Sequence, residues 1–139
     1  APPGGDGLGA PGGGQGLAYA PDPSSETVCT RGGNVAENCG GPHWLKHGAT
    51  ANHILALRMV MPDGEEVELG TPVAGAAGLD LRGVVLGSEG TLGIVTEITC
   101  RLVPIPECVE TLLEAFDSMG SACTAFSPLS PAGILAAAL

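Results

Sequence analysis

From Ile94 to Val103 the sequence alternates with a period of two, and no other feature constrains the fold as much. Ile94, Thr96, Ile98, Cys100 and Leu102 fall on one side, and Val95, Glu97, Thr99, Arg101 and Val103 on the other. Ten residues with that period read as a half-buried β-strand, which Pro104 and Pro106 then stop. A strand needs partners, and the sequence supplies candidates upstream. Ile54 to Met61 (ILALRMVM) is an apolar run of strand length. Pro62-Asp63-Gly64 is a turn signal, and Glu65 to Leu69 sets Val67 and Leu69 against acidic neighbours. Together these predict a β-hairpin. Val84, Val85 and Leu86 read as a further short strand, closed by the tight GSEGTLG segment. The expected sheet therefore contains the 54–61/65–69 hairpin, the 84–86 strand and the 94–103 strand.

Such a sheet has to bury its inner face with aliphatic side chains, because the chain holds only 1 Trp, 1 Tyr and 2 Phe. Glycine (23) and proline (12) make up about a quarter of the 139 residues, so long loops are expected as well. A net charge of −10 argues against nucleic acid or an anionic membrane face as partner, since both are held largely through cationic contacts to phosphate. No stretch approaches the roughly 20 apolar residues of a spanning helix, and no basic segment leads into an apolar run as in a signal peptide. Cys29, Cys39, Cys100, Cys108 and Cys123 are odd in number and include no C-x-x-C pair. They read as free thiols in a reducing, cytoplasmic setting.

Residues 1–16 (APPGGDGLGAPGGGQG) cannot bury enough surface to offset the entropy of ordering them, and read as a disordered leader. Gly7, Gly9 and Gly12 match the dinucleotide fingerprint G-x-G-x-x-G. No strand precedes them and Pro11 interrupts them, so the match reads as chance. Residues 29–48 are polar and glycine-rich, with too few periodic apolar positions for a helix or strand, and 70–79 read as a small-residue loop. Leu112, Phe116, Met119, Cys123 and Phe126 recur at helical spacing. The closing GILAAAL ends in mid-element, as in a truncated chain.

Chemistry is most legible at the glycine clusters. Gly32-Gly33-Asn34, and then Asn38 with Gly40-Gly41, let backbone approach a ligand without an intervening Cβ. Their N–H groups could cradle a phosphate or pyrophosphate, or the clusters could be tight turns and nothing more. Gly87, Gly90 and Gly93 offer the same freedom ahead of the long strand. His43 and His47 are four residues apart, but Pro42 and Gly48 leave too short a span for a ligand-bearing helix, so no metal is expected. Ser88 in G-S-E-G is not a nucleophile elbow. Glu65, Glu66 and Glu68 read as the solvated face of a hairpin strand.

Four segments together resemble one family: YAPDPSS (19–25), CTRGGNVAENCGGPHWLKHG (29–48), LRMVMPDGEEVELG (57–70) and GLDLRGVVLGSEGTLGIVTEITCRLVPIPE (78–107). It is the FAD-linked oxidase family of the vanillyl-alcohol oxidase and p-cresol methylhydroxylase type. The branch resembled most is the flavin subunit of glycolate oxidase, with D-lactate and D-2-hydroxyglutarate dehydrogenases beside it. The resemblance runs from about residue 17 to 126. It implies an α+β fold: residues 17–107 as the second subdomain of the FAD-binding domain, with a mixed or antiparallel sheet and helices. Residues 108–139 would then be the start of a ferredoxin-like cap domain, with 109–116 as a strand of the cap sheet and a helix from about Ser118.

The resemblance also implies site residues. Pro21, Asp22 and Pro23, together with Thr30, Gly32, Gly33, Asn34, Glu37, Asn38, Gly40, Gly41 and Gly48, would lie along the flavin and its pyrophosphate. Gly90, Gly93, Ile94 and Val95 would meet the adenine end. Two residues depart from the family. Arg31 puts a charge where a buried aliphatic residue is expected, and His47 stands in place of a usual Tyr. The first FAD subdomain and the substrate-holding part of the cap are missing from the resemblance.

The implied parent function is FAD-dependent oxidation of a 2-hydroxy acid such as glycolate or D-lactate. Electrons would pass to a partner subunit or quinone, in an enzyme that is cytoplasmic or held at the inner membrane through partner subunits. The residues name no catalytic base. The competing reading is a non-catalytic remnant or interaction module without flavin.

Overall fold

The computed structural model describes residues 16–25, 27–73, 78–129 and 131–138. Apart from Gly16, the expected leader lies outside the described residues, as do 74–77 of the expected 70–79 loop.

The elements in chain order are β1 (Leu17–Ala18), α1 (Arg31–Glu37), α2 (Trp44–His47), a 3-10 turn (Thr50–Asn52), β2 (Ile54–Val60), β3 (Glu66–Gly70), α3 (Leu81–Val85), β4 (Ile94–Cys100), β5 (Val103–Pro104) and α4 (Met119–Phe126). The main sheet is three-stranded in the order β3-β2-β4, and both pairings are antiparallel. Leu17 and Ala18 pair separately with Pro104 and Val103.

The hairpin forms as its sequence dictates. Gly64 N–H donates to the Met61 carbonyl at 2.9 Å, with Gly64 at φ +88°, a value glycine reaches without a Cβ penalty. Asp63 Oδ1 accepts from Glu65 N–H at 3.0 Å and fixes the turn from its other side. β2 becomes the central strand because it carries the apolar run, and Ile54, Leu57 and Met59 are each 1% exposed. They form the core with Tyr19, Val35, Val85 and Leu86, while Val67, Leu69, Val95, Ile98 and Cys100 pack against it from the flanking strands.

The long strand departs from strict alternation. Arg58 faces Glu97 but Met59 faces Val95, so Thr96 is an extra residue on β4 and the ladder bulges there. A one-residue insertion turns every later side chain to the opposite face. Val95, Ile98 and Cys100 thus meet the core together, although alternation would separate Val95 from the other two, and Ile94 is 72% exposed. A second irregularity on β2 makes Leu55 the extra residue between the Ile54↔Cys100 and Ala56↔Thr99 pairs.

Three further expectations are corrected. Residues 84–86 do not form a strand: Val84 and Val85 end α3, and Leu86 caps it. Asp80 Oδ1 accepts from Gly83 N–H at 3.0 Å, and this cap converts a short apolar run, ambiguous by itself, into a helical turn. Residues 29–48 hold two helices rather than none. In α1 Thr30 Oγ1 accepts from Gly33 N–H at 3.1 Å, and Asn38 closes the other end in the left-handed conformation at φ 49°. Residues 109–116 are not a sheet strand, since no partner strand pairs with them among the described residues, and Leu112 and Leu113 are 93% and 98% exposed. The helix expected from about Ser118 does form. Ser118 Oγ accepts from Ser121 N–H at 3.1 Å at the start of α4, and Phe126 meets Phe116 edge-on at 6.0 Å.

Candidate functional site

α1 carries the first glycine cluster and is tied to the rest of the fold at both ends. At its inner face Asn34 is fully buried. Asn34 Nδ2 donates to the Tyr19 hydroxyl oxygen at 3.3 Å, and Asn34 Oδ1 lies 2.9 Å from Thr50 Oγ1. The single hydroxyl hydrogen of Thr50 is shared between that oxygen and the Cys39 carbonyl at 2.8 Å. Burial pushes the Tyr19 phenol up to about 12, against the opposing pull of the Thr50 hydroxyl nearby and of the hydrogen bond from Asn34.

At the C-terminal end, helix carbonyls also accept from a distant segment. Gly87 N–H donates to the Val35 carbonyl at 3.0 Å and Glu89 N–H to the Ala36 carbonyl at 2.9 Å. The two glycine motifs, about fifty residues apart in sequence, are therefore one hydrogen-bonded unit. Asn38 Oδ1 accepts from Ala51 N–H at 2.9 Å and extends this unit to the 3-10 turn.

The expected site residues divide by what their glycines touch. A Cβ on Gly41 would lie 2.0 Å from the Asp22 carbonyl oxygen, and one on Gly48 would lie 2.0 Å from Asn52 Nδ2. A Cβ on Gly93 would lie 2.6 Å from the Val60 carbonyl oxygen, and Gly40 carries the Trp44 ring at 3.4 Å. Gly41, Gly48 and Gly93 are glycine because protein already fills the space, whereas a Cβ on Gly40 would make only an ordinary contact with the Trp44 ring. Gly32 and Gly33 are exposed and have only Thr30 Oγ1 nearby, at 3.9 and 3.5 Å; Gly90, at φ +76°, has nothing within 4 Å. Those three present bare backbone to the outside.

The remaining residues are placed as follows. Pro21 and Pro23 are buried, and Asp22 between them contacts His43 Nδ1, closing the 21–23 turn onto the Gly41 loop. Thr30 and Glu37 are exposed at the two ends of α1, and Val95 is half-buried at the core edge. Arg31 is exposed, with its guanidinium 5.9 Å from the centre of the Tyr19 ring. The expectation of a buried charge at Arg31 is corrected accordingly: the first residue of a helix on the surface faces water.

Among the three histidines, His43 faces Asp22, while His47 and His53 face each other with ring centres 6.3 Å apart. Desolvation, aided by Lys46 and the two other histidines, lowers the His47 pKa. No group of three or more metal-ligating side chains occurs among the described residues. Two clefts flank Asn52 and Arg101, one of about 560 Å³ between the β2–β3 edge and α3, the other of about 530 Å³ beside His47 and His53. None of the expected cofactor residues lines either cleft. Tyr19 and Thr50 escaped the sequence reading as functional residues. Being the only tyrosine was Tyr19's one signal, and Thr50 had none.

Residues 12–70 match the family described as FAD binding domain. Over 119 residues the chain is 44% identical to the glycolate oxidase subunit GlcD of Escherichia coli, covering 86% of this chain and 24% of that one. It is 43% identical over 106 residues to a D-lactate dehydrogenase of Anaerostipes hadrus, covering 76% of this chain and 22% of that one. Among solved structures, an alkyldihydroxyacetonephosphate synthase superposes with a TM-score of 0.70 at 27% identity, over 89% of this chain and 22% of its own. The chain thus spans less than a quarter of the length of each of these three relatives.

Proposed function

We propose that this chain, a homologue of glycolate oxidase GlcD and D-lactate dehydrogenase that carries part of an FAD binding domain, supplies one wall of the flavin site of an enzyme oxidising a 2-hydroxy acid. The match of residues 12–70 to the FAD binding domain carries the reading. The bare backbone at Gly32, Gly33 and Gly90 suits it, because a flat cofactor with a pyrophosphate needs close approach to the chain, although the Gly33 N–H itself is taken by Thr30 Oγ1. FAD, when bound, would accept the electron pair that leaves the substrate's α-carbon.

This chain's own residues would bind and orient. Gly32, Gly33 and Gly90 would contact the cofactor directly. Asn34, Tyr19 and Thr50 would hold α1 at a fixed depth, and the Gly87 and Glu89 amides would hold Gly90 at a fixed distance from it. Pro21, Asp22, Pro23, Gly40, Gly41, Gly48 and Gly93 would shape the wall from behind, with Thr30, Glu37, Asn38, Ile94 and Val95 along its rim. The substrate's carboxylate would be held by residues outside this wall. The electron acceptor would be a partner subunit, in keeping with the relatives named as subunits, or a quinone. No described helix is long and apolar enough to cross a membrane.

The test is flavin binding and turnover by the 139-residue chain. The expected result is weak, saturable quenching of FAD fluorescence with no dye reduction by glycolate or D-lactate above a free-flavin control. Ligand sites usually bury 70–90% or more of a drug-sized ligand, which one wall does not do. Turnover above that control would overturn the one-wall reading. Absence of any saturable quenching would favour a module that does not use flavin.

A further inference from the structure

The cleft of about 530 Å³ beside His47 is lined by Lys46, His47, Asn52, His53, Arg101 and Val103. Its walls carry no carboxylate, although the chain has 15 acidic residues and only 5 basic ones. Of those five, Arg58 and Arg82 are paired with Glu97 and Asp80 at 2.9 and 3.0 Å. Lys46 and Arg101 have no ion-pair partner among the described residues, and both converge on this one cleft. The strand pairing below Val103 and the Arg101 N–H bond to the His53 carbonyl hold the walls together.

His53 forms the inner wall and is 4% exposed. Its Nε2 is 2.8 Å from the His47 carbonyl oxygen, which can only accept, so Nε2 carries the hydrogen. Its Nδ1 is buried and has no hydrogen-bond partner among the described residues. With the hydrogen on Nε2, Nδ1 is an acceptor, and a buried acceptor without a partner is destabilising until a donor meets it, such as the hydroxyl that hydrogen phosphate and glycolate each carry beside their anionic oxygens.

We propose that this cleft is a binding site for a small oxyanion, a carboxylate or a phosphate group. Lys46 and Arg101 supply the charge, the Asn52 amide supplies neutral donors, and His47 and His53 close the back. Like charge gathered in a cleft with low-dielectric walls raises the local concentration of counter-ions. Arg101 suits such a group through its planar fork of donors and Lys46 as a point charge. The site shares no lining residue with the proposed flavin wall, so it stands or falls separately from it.

Titration of the 139-residue chain with inorganic phosphate and, in parallel, with glycolate tests the proposal, followed by amide chemical shifts at constant ionic strength. Saturable shifts confined to residues 46–53 and 101–103 are expected with at least one of the two probes. Saturation with one probe alone identifies which oxyanion the cleft takes. Lys46→Gln and Arg101→Gln should each raise the half-saturation concentration about tenfold, the loss of one charge-assisted contact. Arg58→Gln, on the opposite ion pair, should leave it unchanged. Linear shifts with both probes overturn the proposal, as does saturation centred elsewhere. Saturation unaltered by both charge removals overturns it too, since the fold of each variant is read from the same spectrum.

Discussion

Replacing Asn34 by Ala removes the side chain that joins α1 to both Tyr19 and Thr50. Asn34 is fully buried and makes two side-chain contacts, at 3.3 Å to the Tyr19 hydroxyl and 2.9 Å to Thr50 Oγ1. Each hydrogen bond contributes about 0.5–1.5 kcal/mol net, and a buried hydroxyl left without its partner adds a desolvation penalty of about 1–3 kcal/mol. A loss of about 3 kcal/mol is therefore expected, which for a domain of this size lowers the melting temperature by about 10 °C. A double-mutant cycle with Tyr19→Phe isolates the contact between the two side chains. Alone, Tyr19→Phe removes a satisfied hydroxyl and should destabilise by about 1 kcal/mol. In the Asn34→Ala background the hydroxyl is already poorly served, so the same change should be neutral or stabilising. The two sites should thus couple by about 1 kcal/mol or more. Circular dichroism melts of the four proteins measure it. An Asn34→Ala loss below about 0.5 kcal/mol, or strict additivity, would refute the buried network.

Three other outcomes follow from the same geometry. Tyr19 titrates at about 12 when folded against an ordinary value near 10, so the folded state holds its proton longer; the Tyr19 contribution to stability should be constant below pH 10 and fall by about 2–3 kcal/mol between pH 10 and 12. Urea melts across that range should show the slope in the parent chain and lose it in Tyr19→Phe. Gly41→Ala puts a methyl group 2.0 Å from the Asp22 carbonyl and should cost about 1–3 kcal/mol in thermal unfolding, because backbone rather than a flexible side chain must move. Arg31→Ile should change stability by no more than about 1 kcal/mol, and in the unfavourable direction, since Arg31 is exposed over the Tyr19 ring; a clear gain would restore the buried-charge expectation.

The hairpin was readable because its cause is local: Pro62-Asp63-Gly64 sets the turn, and the apolar run of β2 sets the buried face. The strand at Ile94–Cys100 was readable for the same reason, but its buried set was not. Thr96 bulges where its hydroxyl reaches the Arg58 carbonyl at 3.2 Å, and nothing in a period-two sequence marks that residue as extra. α1 was missed because two glycines at a helix start look like a loop. What makes the helix persist lies elsewhere in the chain, in the Gly87 and Glu89 amides that satisfy its last carbonyls. Val84-Val85-Leu86 shows the converse. A short apolar run fits strand or helix equally, and the Asp80 cap decides it. For 109–116 a strand identity depends on a partner, and none pairs with it among the described residues.

At the candidate site, resemblance rather than periodicity supplied the residues. It did not distinguish the glycines packed against protein, Gly41, Gly48 and Gly93, from those open to a ligand, Gly32, Gly33 and Gly90. That distinction needs coordinates, because all six look alike as letters.

It also supplies the most direct test of the flavin wall. Fluorescence-quenching titrations with FAD should compare the parent chain, Gly32→Val and Arg58→Gln, with melting curves taken on the same samples. For a one-walled site the parent dissociation constant is expected between about 0.05 and 1 mM, a binding free energy of roughly 4–6 kcal/mol. Gly32→Val adds a branched side chain where only Thr30 Oγ1 lies nearby, so it should leave the melting temperature within a few degrees of the parent while weakening FAD by about tenfold or more. Arg58→Gln, paired with Glu97 on the sheet, should leave FAD binding unchanged. Equal FAD affinity in the parent and Gly32→Val, with both folded, would contradict the account, because the cofactor would then not approach the bare backbone of α1.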